Sequence, residues 1–236
     1  MKKLEAIYSG KSKTLYKTDD ENLLICEFRD DATAFNGQKH AKLSKKGELN
    51  NAINAVVMQK LAAEGIQSHF VEKLNNTESL VRPLKMIPIE CVIRNLAAGN
   101  LCKRYGIEKG RVLNPPTFEF FLKDDKLGDP MVNEYHIETF NWATKEQLQV
   151  MKQLTFQINN VLRPWFEENN MLLVDYKLEF GLMENGAMIL GDEFTPDGCR
   201  LWDATTKEVL DKDRFRQDLG QVIEHYEIVA KRLGAV

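Results

Sequence analysis

The chain has 236 residues, of which 43% are hydrophobic and 28% are charged, as in an ordinary globular protein with a sizeable core. Its net charge of -3 argues against nucleic acid or an anionic membrane as a partner, because both attract clearly basic surfaces. The N-terminus lacks the apolar segment of a signal peptide, and no run approaches the ~18 apolar residues of a membrane span, so we expect a cytoplasmic protein.

The first 86 residues are predicted to form a small unit of mostly antiparallel strands with one helix. Alternating apolar residues predict a strand, a tight turn and a strand over 8–16, and a further strand over 23–28. Residues 30–46 have few apolar side chains and no clear period, which predicts a mobile loop. The unit is completed by a predicted helix over 48–64 and predicted strands over 69–73 and 80–85.

The turn within residues 8–16 has the sequence Gly10-Lys11-Ser12-Lys13 and is a candidate phosphate-covering loop. It is not a P-loop, because Glu5 stands where the upstream glycine is needed and the residues that follow alternate like a strand. A glycine turn between strands with two lysines on one side would still cover nucleotide phosphates, as in kinases. A basic surface hairpin is the alternative interpretation.

The second unit, residues 87–236, is predicted to begin at a break over Met86-Ile87-Pro88 and to mix strands with helices, giving an α+β fold. A long helix is predicted to start at the capping box of Thr144 and Gln147, and Pro164 is expected to kink or end it. The other predicted elements are strands over 89–94 and 117–123, a rigid break over 114–116, a polar turn over 124–130 and a last helix over 213–233. We interpret both helices as scaffold.

Arg94 lies at the end of the predicted strand 89–94, four residues from Glu90 and therefore on the same face. A glycine turn at Gly99 and a short helix follow. Backbone donors at such a turn, together with an arginine fork, would bind a phosphate monoester. An ion pair between Arg94 and Glu90 is the alternative.

Asn185-Gly186 between two apolar runs predicts a β-hairpin with a two-residue turn. This register places Glu179 directly opposite Asp192, and period 2 puts Asp175 and Lys177 on the same face as Glu179. Like charges directly opposite destabilise a strand pair, so a hard divalent cation between the two acids is expected, with Mg²⁺ and a nucleotide as the best fit. A solvated, charged sheet face is the alternative.

Two runs, residues 87–94 continuing to Ala98-Gly99 and residues 173–181, resemble the two signatures of the SAICAR synthetase (phosphoribosylaminoimidazole-succinocarboxamide synthetase) family. The similarity extends over essentially the whole chain, including the segments 8–14, 31–37, 191–198 and 211–216. Asn100 departs from the family, which usually has serine there; asparagine can still donate a hydrogen bond to a phosphate but is larger.

The resemblance implies an ATP-dependent ligase that joins L-aspartate to the carboxylate of carboxyaminoimidazole ribotide, giving SAICAR, ADP and phosphate. It further implies Mg²⁺, a homodimer, and a fold related to ATP-grasp enzymes and kinases, with ATP bound in a cleft between units 1–86 and 87–236. The partners implied are therefore small molecules.

The resemblance also assigns roles to individual residues of this sequence. ATP is expected at Gly10, Lys11, Ser12, Lys13 and Lys123, and metal at Glu179, Asp192 and Glu90. The ribotide is expected at Glu90, Arg94, Asn100, Asp175, Lys177 and Arg200, with Lys177, Asp175 and Asp197 as catalytic residues. Aspartate is expected near Asn36, Gly37, Arg214 and Arg216.

Two other classes of function remain as alternatives. A kinase-like phosphotransferase would use the same loop and metal pair, but Gly191-Asp192-Glu193 stands where Asp-Phe-Gly is expected and the sequence has no His-Arg-Asp motif. A catalytically silent nucleotide-binding protein would not need the six charged residues Asp175, Lys177, Glu179, Asp192, Asp197 and Arg200.

Overall fold

The computed structural model of the chain describes residues 1–34 and 37–236. It combines helices with antiparallel sheets, so the predicted α+β class is confirmed. The elements in chain order are β1 (Lys3–Ser9), β2 (Lys13–Thr18), β3 (Leu24–Phe28), β4 (Asp31–Ala34), β5 (Lys39–Lys42), α1 (Lys46–Ala63), β6 (Phe70–Lys73), β7 (Glu78–Val81), β8 (Lys85–Leu96), α2 (Asn100–Tyr105), β9 (Val112–Leu122), β10 (Met131–Val132), α3 (Glu134–Thr139), α4 (Lys145–Glu168), β11 (Met171–Leu182), β12 (Met188–Leu190), β13 (Cys199–Asp203), α5 (Asp213–Arg216) and α6 (Val222–Arg232).

The first sheet has the antiparallel strand order β1-β2-β3-β7-β6. The predicted tight turn between β1 and β2 is confirmed, with the Gly10 amide donating to the Lys13 carbonyl at 2.9 Å. The mobile loop predicted over 30–46 is wrong for 31–34 and 39–42, which pair as the hairpin β4–β5. Ala32 and Ala34 are buried there, because small apolar residues alternate with polar ones. The alternation is too short to be recognised as a strand from the sequence.

Helix α1 begins two residues before its predicted start and is buried on more than one face. Its buried asparagines bond to other parts of the chain: Asn51 donates to the carbonyls of Asn75 and Asn76, and Asn54 accepts from the Phe194 amide at 2.9 Å. The helix therefore ties the first sheet to the segment that follows β12.

The second sheet has the strand order β10-β9-β8-β11-β12, and β13 pairs with β11. The break predicted at Met86-Ile87-Pro88 is wrong, because β8 runs through these residues. The register between β8 and β11 shifts next to Pro88. Proline has no N–H to donate to the neighbouring strand, so it is tolerated at such an irregularity. The break predicted at Asn114-Pro115-Pro116 likewise lies within β9.

The helices flank these sheets. Helix α4 starts at the predicted capping box, in which Thr144 Oγ1 accepts from the Gln147 amide at 3.2 Å, and it continues past Pro164 to Glu168. The single last helix predicted over 213–233 is wrong: α5 ends at Arg216, and Gly220 and Gln221, with φ of 70° and 52°, separate it from α6. Leu219 is 45% exposed in this connection. Within the described residues, no helix combines the length and apolar character needed to cross a membrane.

The hairpin β11–β12 is confirmed, but its predicted register is wrong by one residue. Met188 pairs with Leu182, and the turn contains Glu184 in addition to Asn185 and Gly186. Glu179 therefore lies opposite Gly191, whose amide donates to the Glu179 carbonyl at 2.9 Å. A slip of one residue moves a side chain to the other face of a strand, so the predicted direct pairing of Glu179 with Asp192 does not occur.

Candidate functional site

The neighbouring strands β8 and β11 place the predicted charged residues on one sheet face. Asp175 is the cross-strand partner of Arg94, and Glu179 is the cross-strand partner of Glu90. The Lys177 ammonium group bonds to Glu179, lies 3.0 Å from Glu90 Oε1 and lies 3.5 Å from Asp192 Oδ2. Lys177 thus connects the three carboxylates that were predicted as metal ligands.

Two further lysines reach the same carboxylates from other elements. Lys13, the first residue of β2, bonds to both Asp192 and Glu193, and Lys123, which follows β9, bonds to Glu179. We call this set the acid–lysine cluster; its members are Lys13, Glu90, Lys123, Lys177, Glu179, Asp192 and Glu193. It joins the first sheet to the second.

The protonation of the cluster is set by burial and by these ion pairs. Burial opposes the charged form of Asp192, but the Lys13 ammonium prevails and holds the pKa of Asp192 well below its usual range. Burial and the neighbouring Asp192 charge raise the pKa of Glu193 to about 7. Burial disfavours the charged form of Lys177, yet its carboxylate partners raise its pKa well above the ordinary value. The cluster therefore keeps Asp192 ionised at neutral pH.

The predicted metal ligands are brought together but are not arranged as a ready-made metal centre. In residues 1–34 and 37–236, no three His, Cys, Asp or Glu side chains form a group that could hold a metal ion. Instead, Glu90, Glu179 and Asp192 each bond to a lysine. Carboxylates without His or Cys are nevertheless the donors that Mg²⁺ prefers, so the residue types fit this ion.

The candidate phosphate-covering loop, residues 10–13, projects its lysines toward segments that follow β9 and β12. Besides the contacts of Lys13, the Lys11 ammonium lies 2.7 Å from Asp125 Oδ1. Ser12 takes part through its backbone, since its carbonyl accepts from the Arg29 amide at 2.7 Å. A strand follows the loop, which confirms that it is not a P-loop.

At the other end of the same sheet face, Arg94 and Arg200 share Asp175. Arg94 Nη1 donates to Asp175 Oδ2 at 2.6 Å and its Nε donates to Glu119 Oε2 at 2.8 Å, so the alternative pairing of Arg94 with Glu90 is wrong. Arg200 Nη1 lies 3.0 Å from Asp175 Oδ2, and its Nε donates to Asp213 at 2.8 Å. We call this set, Arg94, Glu119, Asp175, Arg200 and Asp213, the arginine group.

The turn at Gly99 lies against the arginine group. Its φ is +56°, and a Cβ built there would lie 2.6 Å from Arg200 Nη2, so glycine permits both the backbone conformation and the close approach. Asn100, the first residue of α2, is exposed beside this turn. Glycine backbone and guanidinium therefore form one surface of a candidate anion site.

Asp197, predicted as a catalytic residue, lies between α1 and α6, and its side chain is only 7% exposed. It accepts from Asn50 at 3.0 Å and from the Tyr226 hydroxyl at 2.8 Å, and Lys46 Nζ lies 2.5 Å from its Oδ2. Burial would raise its pKa, but Lys46 and Lys212 lower the pKa of Asp197 to about 2. A carboxylate with these bonds and this pKa is a weak base.

The residues predicted to bind aspartate are only partly brought together. Asn36 lies outside the described residues, and Gly37 is exposed with φ +84°. The buried Arg214 guanidinium donates to the carbonyls of Leu219 and Gly220, at 3.1 and 2.8 Å, and so holds the break between α5 and α6. Arg216 bonds to Asp213 Oδ1 at 2.6 Å and thereby adjoins the arginine group.

Several residues of the site were missed from the sequence. Glu119 is a single charge between Phe118 and Phe120 on β9, and such an isolated acid in an apolar strand was a usable signal. Glu193 directly follows the predicted ligand Asp192 and was given no role of its own. Lys46 and Arg29 gave no local signal, because their partners are brought to them by the fold.

Comparison with known proteins gives concordant matches over nearly the full length. The family model described as SAICAR synthetase matches residues 6–233. The phosphoribosylaminoimidazole-succinocarboxamide synthase of Hahella chejuensis is 60% identical over 234 residues, 99% of each chain. The crystal structure of phosphoribosylaminoimidazole-succinocarboxamide synthase from Ehrlichia chaffeensis superposes with a TM-score of 0.96 at 47% identity, covering 98% of this chain and 99% of that one. A SAICAR synthetase (Type-2) in complex with ADP superposes with a TM-score of 0.94 at 40% identity, covering 97% of both chains.

Proposed function

The chain belongs to the SAICAR synthetase family of ATP-dependent ligases in purine biosynthesis, and on that premise we propose how its own residues divide the reaction. The fold is ATP-grasp-like. The reaction joins L-aspartate to the carboxylate of carboxyaminoimidazole ribotide and converts ATP to ADP and phosphate. One observation carries the assignment: the arginine group and the acid–lysine cluster lie on the same face of β8 and β11. Arg94 of the arginine group and Glu90 of the acid–lysine cluster are four residues apart on β8. Four residues of extended strand span roughly 13 Å, which suits a sugar phosphate with its ring carboxylate.

The phosphates of ATP are held by the lysines that converge on the acid–lysine cluster. Lys13 and Lys123 exchange their carboxylate partners for phosphate oxygens, and Lys11 and Ser12 cover the phosphates from the loop. Glu179, Asp192 and Glu90 would hold Mg²⁺, which when bound neutralises phosphate charge and so assists the transfer. This exchange of partners is favourable because each lysine keeps an anion beside it.

The ribotide phosphate is held at the arginine group. Arg94 and Arg200 are fixed by Asp175, so the guanidinium groups are oriented before the ligand binds. Asn100 and the Gly99 turn complete the phosphate site, and Asn100 donates through its side-chain amide. Glu90 and Lys177, one strand segment away, contact the imidazole and its carboxylate.

The carboxylate is activated as an acyl phosphate. A carboxylate oxygen attacks the γ-phosphorus and ADP leaves. The neutral aspartate amine then attacks the carbonyl carbon, and phosphate leaves with that oxygen and takes up the proton that the nitrogen loses. Lys177 stabilises negative charge on the transferring group and on the tetrahedral adduct. Asp175 and Asp197, both fully engaged, act as positioning residues: Asp175 orients the arginines, and Asp197 orients Lys46 and Tyr226.

The decisive experiment follows ATP hydrolysis with each co-substrate omitted and traces ¹⁸O from the ribotide carboxylate. Turnover that requires both the ribotide and aspartate, with one labelled oxygen in the released phosphate, is expected. Repeated turnover of ATP to a stable phosphorylated product without aspartate would favour a kinase-like phosphotransferase instead. Unlabelled phosphate with full turnover would exclude the acyl phosphate.

Aspartate is proposed to bind where the β4–β5 hairpin meets α5. Lys39 of β5 donates to the Phe215 carbonyl at 2.6 Å, which joins the strand that begins two residues after Gly37 to the helix that bears Arg216. Arg214 is committed to the fold and acts indirectly. Arg216→Ala should therefore raise the aspartate KM by about tenfold. Arg214→Ala should instead lower the unfolding temperature. Equal aspartate KM values in wild type and Arg216→Ala would refute this placement.

Self-association and location complete the proposal. The family resemblance implies a homodimer, whose interface we place at the exposed apolar side chains of α2, β10 and α3, namely Tyr105, Met131 and Tyr135. Sedimentation of the wild type and of Tyr135→Lys would test it, and a monomeric wild type would refute it. A cytoplasmic location accords with the purine pathway and is checked by fractionation of cells expressing the tagged chain.

A further inference from the structure

We propose that Arg29 is a positioning residue that holds the phosphate-covering loop, residues 10–13, in its ATP-binding shape. Arg29 follows β3 and lies beneath this loop, and no role in the reaction has so far been given to it. The proposal rests on the proposed function of the loop, but it also concerns the shape of the loop without substrate.

The Arg29 guanidinium contacts the loop at several points. Its Nη2 donates to the Gly10 carbonyl at 2.5 Å, and its Nη1 donates to the Lys13 carbonyl at 3.0 Å. Nη1 also donates to Ser9 Oγ at 3.1 Å and to Thr14 Oγ1. One side chain therefore binds the first and last residues of the loop as well as the residue on each side of it.

These bonds determine which polar groups the loop presents to a ligand. In a trans peptide the N–H points away from the C=O, so the Lys11 amide is directed away from Arg29 when the Gly10 carbonyl is directed toward it. Carbonyl oxygens repel phosphate, whereas amide hydrogens attract it. Arg29 thus holds the carbonyl oxygens of Gly10 and Lys13 on its own side of the loop, and the Lys11 amide is left as a donor on the opposite side.

The guanidinium is itself held in place from the hairpin β4–β5. Arg29 Nε donates to Asp31 Oδ2 at 2.9 Å, and Asp31 Oδ1 lies 3.2 Å from His40 Nε2. With Nε fixed, the planar fork has one orientation, which lysine cannot reproduce because its ammonium has no fixed plane. Arg29 therefore also connects the phosphate-covering loop to the hairpin β4–β5, at which we place aspartate.

The side chain of Arg29 can be removed without breaking the sheet. Strands β2 and β3 pair from Lys13 with Phe28 to Lys17 with Leu24, and the Arg29 amide donates to the Ser12 carbonyl through the backbone. Replacement of the side chain should therefore loosen the turn and leave the ladder intact. Weaker ATP binding is the expected consequence, because the loop must be ordered again when the nucleotide binds.

The test compares Arg29→Gln, Arg29→Lys and the control Arg82→Gln. Among the residues that the structure describes, the exposed Arg82 guanidinium makes one long hydrogen bond, 3.5 Å to the Phe70 carbonyl. Arg29→Gln should weaken ADP binding in calorimetry and raise the ATP KM by about tenfold, with kcat and the ribotide KM within about twofold of wild type. Amide exchange should quicken at Lys11 and Ser12 but not along β2–β3. Arg29→Lys should be intermediate, and Arg82→Gln should match wild type.

An ADP affinity and loop exchange rate in Arg29→Gln equal to wild type would overturn the proposal. So would an equal loss for all substrates together with faster exchange along β2–β3, because that result indicates a role in the fold alone. If the wild type binds ADP but does not form the ligation product, the proposed function fails while calorimetry and exchange still decide the role of Arg29.

Discussion

Glu90 of β8 and Glu179 of β11 are direct cross-strand partners, and the Lys177 ammonium group bonds to both carboxylates. Two acids in this position repel each other, and Glu179 is only 1% exposed, so water does little to screen the repulsion. The lysine offsets it. The free energy of unfolding of the ligand-free protein therefore depends on a cation beside these two carboxylates.

Lys177→Met should make the fold dependent on an added cation. Without the ammonium, Glu90 loses its cation and only Lys123 remains bonded to Glu179, at an expected cost of about 2 kcal/mol, below the value for a fully buried pair because Lys177 is partly exposed. The unfolding temperature in EDTA should fall by roughly 5 °C, and Mg²⁺ should restore part of it. Exposed Lys73→Met is the matched control; an equal fall in both variants would contradict this account.

Glu179→Gln and Asp192→Asn should each raise the Mg²⁺ concentration for half-maximal activity by about tenfold, because each removes a charged donor. Both variants should also unfold at a lower temperature in EDTA, since Glu179 bonds to Lys123 and Lys177, and Asp192 bonds to Lys13. Titration of activity with Mg²⁺ is the measurement, with exposed Glu168→Gln as the control. Wild-type magnesium dependence in both variants would exclude these acids as ligands.

Arg94 and Arg200 should differ in their effect on stability. Arg94 is 5% exposed, and Arg94→Ala leaves Glu119 and Asp175 without their main cation, so urea unfolding should show a loss of about 3 kcal/mol. Arg200→Ala should lose about 1 kcal/mol, because its side chain is more exposed. Both should raise the ribotide KM more than the ATP KM, by about tenfold or more, and Arg94→Lys should recover only part.

Gly99→Ala provides a second measurement on the same site. Its Cβ would displace the Arg200 guanidinium, so the ribotide KM should rise as in Arg200→Ala with the arginine still present. An unchanged ribotide KM in Gly99→Ala and Arg200→Ala would assign these residues to the fold.

Asp211 should make stability fall as pH rises. Burial and the neighbouring Asp213 raise the pKa of Asp211 to about 7. A carboxyl group with a raised pKa in the folded state holds its proton there after the unfolded chain has lost it. The contribution of Asp211 to the unfolding free energy therefore decreases by roughly 1 kcal/mol for each pH unit between the unfolded-state pKa of about 4 and pH 7. Above pH 7 it no longer changes.

The measurement is urea unfolding of the wild type and Asp211→Asn between pH 4.5 and pH 8. Asp211 accepts from the amides of Leu201 and Asp213, so the variant loses one bond at every pH. The difference in unfolding free energy, wild type minus variant, should decrease as pH rises toward 7. A difference that is constant with pH would show that Asp211 does not titrate in this range.

The sequence came close to the centre of the site but paired the wrong acids. It predicted two repelling carboxylates across a strand pair at Glu179, and such a pair exists, but the partner is Glu90 from the preceding long strand. Asp192 is nearby through Lys177 and Lys13. The error arose because Asn185-Gly186 fixes the presence of a turn but not its length, and one additional residue moves every later side chain to the other face.

Local patterns by themselves determined the α+β class, the β1–β2 turn, the capping box of α4, residues 89–94 of β8, the presence of the hairpin β11–β12, and the family through its two signature runs. These features depend on residues close together in the chain, where periodicity and turn chemistry act directly. Only the tertiary structure decided that Lys13, Lys123 and Lys177 meet the same acids, that Asp197 is enclosed by Lys46 and Tyr226, and that Arg29 lies beneath the loop. Their partners are distant in sequence, and an ion pair or a hydrogen bond between side chains depends on positions in space that no local spacing encodes.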